Sequence, residues 1–213
     1  MHAIQITPDV MLTYGTPLLQ RRIEAMLPHN AALTEFALRL RAAEPGASKS
    51  NAGGWHSAGN IFEREEAGIA LLTQHVRAAL LHMSMLVKQV TAPRVEFDAT
   101  LYGWINVNGP GDYNTPHCHP GGTWSGVYYI RTGPEVPDRP NSGRIQFIDP
   151  RTRCDLGATP SIAHTRLVGI SPSDGMLLIF PSYLEHYVHP YFGTGERITL
   201  AFNSLVQRLT PLP

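Results

Sequence analysis

After Pro93 the chain breaks into short stretches rich in β-branched and aromatic residues, at 94–108, 124–131, 144–149, 164–170, 175–180, 185–189 and 196–207. Clusters of Gly, Pro, Asn and Asp separate them. Many short strands with turn signals between them suit a sandwich or barrel of antiparallel sheet. Two irregular connections interrupt the series, Arg131 to Gly143 and Thr152 to Ala163. The expected fold class is therefore mainly β with α: a double-stranded β-helix (jelly roll) with N-terminal helices packed outside.

The first part of the chain has a different texture. Residues 2–20 hold a short strand-like stretch and then Tyr14-Gly15-Thr16-Pro17, a turn sequence. From Leu18 to Ala43, apolar residues at Ile23, Met26, Leu27, Leu33, Phe36, Ala37 and Leu40 fit an amphipathic helix interrupted near Pro28. Glu44 to Asn60 is rich in Gly, Ser, Ala and Asn and reads as a loop. A second helix is expected from Glu63 to Lys88, burying Ile69, Leu72, Val76, Leu80, Met83 and Val87. The 213 residues suffice for a single domain, with 1–92 mostly helical and 93–207 forming the jelly-roll core.

Composition narrows the partners. Lys+Arg and Asp+Glu both total 17, so the net charge is zero and no basic footprint for nucleic acid is evident. No apolar run approaches the length of a membrane span, and the N-terminus lacks a signal-peptide layout. Cys118 and Cys154 form no disulfide framework. The expectation is a cytoplasmic protein acting on a small-molecule or peptide substrate. Its two helices offer a surface for a homodimer.

His117-Cys118-His119 places two imidazoles one residue apart, and on extended chain both point to the same side. They can share a metal ion with a third ligand from a distant strand, and His186 follows the apolar stretch Gly175–Ser182 at a turn back into the sheet. Imidazole suits Fe(II), but zinc, copper and nickel accept it too. Asp149 in Asp149-Pro150-Arg151 is an alternative ligand, though a turn residue is the simpler reading. His2, His29, His56, His75 and His82 read as surface or packing residues, and His164 as a weaker candidate to line the site. His189 would replace His186 only with altered strand geometry. Cys118, on the opposite side of the chain, reads as packing.

Arg197-Ile198-Thr199 places a guanidinium and a hydroxyl on one strand face. A guanidinium fork pairs with a carboxylate through two parallel hydrogen bonds, and Tyr129 on a nearby strand could complete the pocket. A salt bridge for Arg197 and plain core packing for Tyr129 are the competing explanations. Tyr102, Trp104, Asn106 and Asn108 alternate onto one face and suit either a substrate cleft or core. Asn114 suits a turn equally well. The Gly53-Gly54-Trp55 loop could close over the cleft or dock on the helices.

A resemblance rests on these motifs together: His-x-His-Pro, Ser-Gly-Val-Tyr-Tyr, Gly-x-Ile-x-Phe-x-Asp-Pro-Arg, Phe-Pro-Ser-x-Leu-x-His-x-Val-x-Pro and Arg-Ile-Thr-Leu-Ala-Phe-Asn, with Ser50–Ser57 upstream. The chain resembles the 2-oxoglutarate- and Fe(II)-dependent oxygenases, in a branch of small bacterial and phage proteins, with prolyl hydroxylases as more distant relatives. The resemblance implies Fe(II) held by His117, His119 and His186. It implies 2-oxoglutarate as co-substrate, anchored by Arg197 with Thr199 and Tyr129, and O2-dependent hydroxylation of a substrate. His119 stands where the prolyl hydroxylases carry Asp. That departure leaves open an oxoglutarate-independent three-His dioxygenase, or a barrel that binds a metal or small acid without catalysis.

Overall fold

Strand alternation along one long ribbon organises the molecule, a computed structural model that describes residues 15–66, 68–151 and 167–212. In chain order the strands are β1 (Leu19–Arg22), β2 (Asn51–Ala52), β3 (Trp55–His56), β4 (Val95–Asn108), β5 (Tyr113–His117) and β6 (Trp124–Arg131). They continue as β7 (Ile145–Ile148), β8 (Leu167–Ile170), β9 (Met176–Pro181), β10 (His186–Val188) and β11 (Arg197–Pro211). The helices are α1 (Asn30–Ala43) and α2 (Ile69–Val87), each preceded by a short 3-10 turn, Glu24–His29 and Ile61–Glu63. The strands form a six-stranded sheet ordered β1-β9-β6-β11-β4-β3 and a five-stranded sheet ordered β2-β5-β10-β7-β8, all neighbours antiparallel.

Side chains of successive strand residues leave opposite faces of a sheet. On β11, Ile198, Leu200 and Phe202 therefore share one face, and Arg197, Thr199, Ala201 and Asn203 share the other. Register carries each set across the sheet: Leu200 pairs with Ile105 and Tyr128, and Thr199 pairs with Asn106 and Tyr129. The first face joins Ile105, Val107, Tyr128, Ile130, Leu177 and Ile179 in one core with the buried sides of both helices. A second cluster, including Val127, Tyr129, Phe147, Leu178 and Phe180, fills the space between the sheets.

Polar bonds fix the helices on the outer face. Tyr128 donates its phenol proton to Asn30 Oδ1 at 2.7 Å, and Asn30 Nδ2 donates to the Ile130 carbonyl at 2.8 Å. Trp124 Nε1 donates to Ser84 Oγ at 2.9 Å, tying β6 to α2. Gly126 makes the close packing there possible, because a Cβ would strike the Phe202 ring and the Leu178 carbonyl oxygen.

Three expectations are corrected. Leu19–Arg22 is a strand paired with Met176–Ile179 and no part of the first helix. The presumed loop Glu44–Asn60 contributes β2, paired to β5, and β3, paired to β4. Pairing with partners distant in sequence overrides local propensity in both places. Val87, expected on the buried face of the second helix, is 53% exposed at its end. The strand-like stretch before Gly15, Cys154, His164 and the Thr152–Ala163 connection lie outside the described residues.

Phe202 is 1% exposed and meets Phe62 edge to face with 6.0 Å between ring centres. Truncating it leaves a cavity under both helices, so Phe202→Ala should lose about 3–5 kcal/mol of stability, read from denaturant melts.

Candidate metal centre

His117 closes β5, and His186 opens β10 directly opposite it in the antiparallel register. Phe147 on β7 flanks His186 from the other side. His119 lies just beyond the end of β5, where its backbone N–H donates to the Ser182 carbonyl at 2.9 Å. The expected extended geometry thus stops at His117, and the Ser182 bond places His119 instead. The ring centres are 4.4 Å apart for His117–His186, 4.9 Å for His117–His119 and 5.3 Å for His119–His186. One ligand atom from each ring lies within 4.8 Å of the others, the spacing at which three imidazoles can hold one ion. Among the described residues no other group of three His, Cys, Asp or Glu meets that spacing.

The hydrogen bonds behind the rings fit a metal. Nδ1 of His117 contacts the Thr115 carbonyl at 2.7 Å, and Nδ1 of His186 contacts the Leu184 carbonyl at 2.9 Å. A carbonyl only accepts, so each Nδ1 carries the proton and each Nε2 keeps its lone pair. Metal-binding histidines are held in this way by backbone or carboxylate acceptors. Ser50 Oγ, 3.3 Å from His117 Nε2, can donate to that lone pair. Asp149 is engaged by Arg151, at 2.5 Å from its Nη2, and belongs to no such cluster.

Burial keeps the rings neutral. It pushes His186 down to about 3, helped by repulsion from His117, and His119 down to about 4, again with His117 contributing. Burial also lowers His117, against the opposing pull of the Thr115 carbonyl and Glu185. Neutral imidazole is the form that coordinates metal. For the metal-free protein, the unfolded chain takes up protons at these sites below about pH 6.5, while the folded chain resists until much lower pH. Stability should therefore be full above that range and fall progressively on acidification. Melting temperatures between pH 7.5 and 4 check this, and double substitution of His119 and His186 by Gln should flatten the slope.

The cleft beside the histidines has a volume of about 480 Å³ and reaches Arg197, Thr199 and Tyr129. Arg197 is 2% exposed and forms no salt bridge among the described residues. Its guanidinium carbon sits 5.3 Å from the Tyr129 ring centre. Burial lowers its pKa against the stabilising influence of Tyr129, but a guanidinium stays charged. Burial pushes the Tyr129 phenol up to about 12, so it remains a proton donor. Among the described residues, Arg197 Nε, Tyr129 Oη and Asn106 Oδ1 are buried and find no hydrogen-bond partner. Isolated buried charge costs several kcal/mol unless an opposite charge meets it, and a carboxylate is the group this donor set fits.

Tyr102, Trp104 and Asn106 line the same cleft, from half-exposed Tyr102 at the mouth to buried Asn106 inside. Three further lining residues escaped the sequence reading. His56, expected at the surface or in packing, pairs with Asn106 across β3 and β4 and stacks on Trp104 at 5.4 Å and 13°. Ser50 and Lys49 precede β2 and reach the cleft because β2 joins β5. Their only signal was membership of the Ser50–Ser57 motif or its flank. Asn114 lies in β5 and donates to Ser50 Oγ at 3.3 Å. Cys118 is not packed but exposed at the cleft, since the strand ends before it. Trp55 docks on the helical side, donating to the Glu44 carbonyl at 3.0 Å. His189 contacts Gln146 at 3.4 Å and stays outside the cleft.

A family profile described as "Putative 2OG-Fe(II) oxygenase" matches residues 102–203. No curated protein gives a significant sequence match. Among solved structures the fold is similar to a prolyl-4-hydroxylase from Pseudomonas putida, with TM-score 0.57 and 17% identity over 88% of this chain and 91% of that one. It is also similar to a prolyl hydroxylase from Trichoplax adhaerens in complex with a hypoxia-inducible-factor peptide fragment, with TM-score 0.60 and 13% identity over 91% and 84% of the two chains. The α-ketoglutarate-dependent carbocyclase SnoK of nogalamycin biosynthesis gives TM-score 0.60 and 12% identity over 93% and 83%. At these identities the likeness establishes a shared jelly-roll fold. The matched segment contains all three histidines and Arg197, so over this stretch the chain is similar to 2OG-Fe(II) oxygenases in the residues that build the cleft.

Proposed function

We propose that this protein couples oxidative decarboxylation of 2-oxoglutarate to hydroxylation of a small-molecule or peptide substrate. The observation that carries this reading is the buried Arg197, which meets no carboxylate among the described residues, in the same cleft as three convergent neutral imidazoles. A metal site alone needs no such cation, and a dicarboxylate that bridges metal and guanidinium accounts for both.

His117, His119 and His186 would hold Fe(II) through imidazole nitrogen. Bound iron, 2-oxoglutarate and O2 together supply the oxidant for a C–H bond, with succinate and carbon dioxide as co-products. Arg197 would hold the distal carboxylate of 2-oxoglutarate through its planar fork. Tyr129 and Thr199 would add hydroxyl donors, the first from a phenol that stays protonated. Thr199 is 3.5 Å from Asn106 Nδ2, which orients its hydroxyl oxygen as an acceptor and frees its proton for the ligand. Tyr102, Trp104 and Asn106 would face the substrate. Residues 1–213 act as one domain in this reading, because β1, β2 and β3 bond into the two sheets that carry the site.

Anaerobic titration of the Fe(II) protein with 2-oxoglutarate should raise a weak visible charge-transfer band. Arg197→Ala should weaken 2-oxoglutarate binding roughly 30-fold or more, the cost of removing one partner of a buried charge pair, with iron still bound. Absence of the band in the iron-loaded wild type would favour a three-His dioxygenase that works without the co-substrate. His117→Ala and His186→Ala should each lose both stoichiometric iron and oxygen consumption; full turnover in either variant would contradict the ligand assignment.

A further inference from the structure

The charge of the cleft is one-sided. Among the described residues that line it, Arg197 and Lys49 are charged and neither Asp nor Glu is present. The three candidate metal ligands are neutral imidazoles, so no protein carboxylate offsets the charge of a divalent ion. With one carboxylate of 2-oxoglutarate on Arg197 and the other at the metal, the charge of Lys49 and one of the two metal charges remain. Arg197 is deep and buried, whereas Lys49 is exposed and reaches the outer part of the cleft. Glu185 influences His117 only from an exposed position outside the lining.

Lys49 is placed by more than chance exposure. Its backbone N–H donates to Asn51 Oδ1 at 2.7 Å, a local turn that precedes β2. The next residue, Ser50, touches His117 Nε2 at 3.3 Å. Lys49 also acts electrostatically on His56, which stacks against Trp104. It makes no salt bridge among the described residues. Trp104 in turn lies between Tyr102, 6.3 Å away and tilted by 42°, and His119, 5.6 Å away and tilted by 54°, so its indole is the flat face between the mouth and the candidate metal ligands.

We propose that the substrate is a small organic anion with a planar body, whose acidic group meets Lys49 while its flat face lies on the Trp104 indole. This rests on the oxygenase reading for the position of the reacting carbon, but the recognition itself belongs to Lys49 and Trp104. A cation that no described carboxylate pairs, at a cleft whose described lining holds no Asp or Glu, attracts anions and repels cations. An indole face accommodates flat rings by stacking. A carboxylate and a phosphate monoester share the required chemistry.

The test uses zinc-loaded, full-length protein with saturating 2-oxoglutarate, so that Arg197 is occupied and the sample is diamagnetic. Benzoate, phenyl phosphate, benzamide and cyclohexanecarboxylate are titrated while the Trp104 indole N–H resonance, assigned with Trp104→Phe, is followed. Benzoate or phenyl phosphate should bind roughly fivefold tighter than neutral benzamide, the upper range for a partly exposed ion pair. Whichever acid binds tighter identifies the acidic group. Lys49→Gln should remove that preference, and Lys49→Glu should reverse it. Cyclohexanecarboxylate should bind more weakly than benzoate because it cannot stack. Equal binding of benzoate and benzamide, or an anion preference that survives Lys49→Gln, would overturn the proposal. A preference lost only in Arg197→Ala would place the anion at the inner site and overturn it too. The charge-transfer titration of the iron form separates these failures from a failure of the oxygenase reading.

Discussion

The two-residue period of β11 is the constraint on which the rest of the structure depends. One set of its side chains seals the helices to the sheet through Ile198, Leu200 and Phe202. The intervening set, Arg197, Thr199, Ala201 and Asn203, lines the cleft. A shift of one residue would exchange the two sets, placing a guanidinium in the apolar core and leucine beside the candidate metal ligands. The long ladder with β4 and the flanking ladder with β6 prevent that shift. Core stability and site geometry are thus consequences of one register.

That register also explains the electrostatic character of the site. It buries Arg197 without a carboxylate partner among the described residues, an arrangement that costs free energy in the isolated protein. The minor sheet contributes rings that burial keeps neutral, with His117 and His186 brought together by a direct strand pairing. The protein therefore supplies positive charge and lone pairs, while negative charge must come from what binds. With His119 as the third imidazole, the candidate metal ligands likewise bring no negative charge to the cleft.

Much of this was legible because the decisive residues sit in period-two patterns. Arg-x-Thr and the Tyr102-x-Trp104-x-Asn106 alternation each predict a shared direction from sequence alone, whereas His119 reaches the cleft from beyond the end of its strand. Most strands after Pro93 were visible for the same reason, but Tyr113–His117 was not among those expected and forms by pairing with β2 and β10. Leu19–Arg22 was not visible either, because nothing in Leu-Gln-Arg-Arg favours a strand until Met176–Ile179 offers its edge. Lys49, Ser50 and His56 were hidden in a Gly- and Ser-rich segment that becomes part of the site only through β2–β5 and β3–β4 pairing. Cys118 was misplaced because the strand ends one residue before it. Local pattern reveals direction, whereas long-range pairing decides which short segments arrive at the cleft.

The central claim is that three imidazoles, with no protein carboxylate, hold the metal. X-ray absorption of the Fe(II) protein tests it most directly, because imidazole rings give multiple-scattering features that carboxylates lack. The account predicts three imidazoles per iron in the wild type and two in His119→Ala, with Asp149→Asn unchanged from wild type. Two imidazoles in the wild type, together with a spectrum altered by Asp149→Asn and indifferent to His119→Ala, would contradict it.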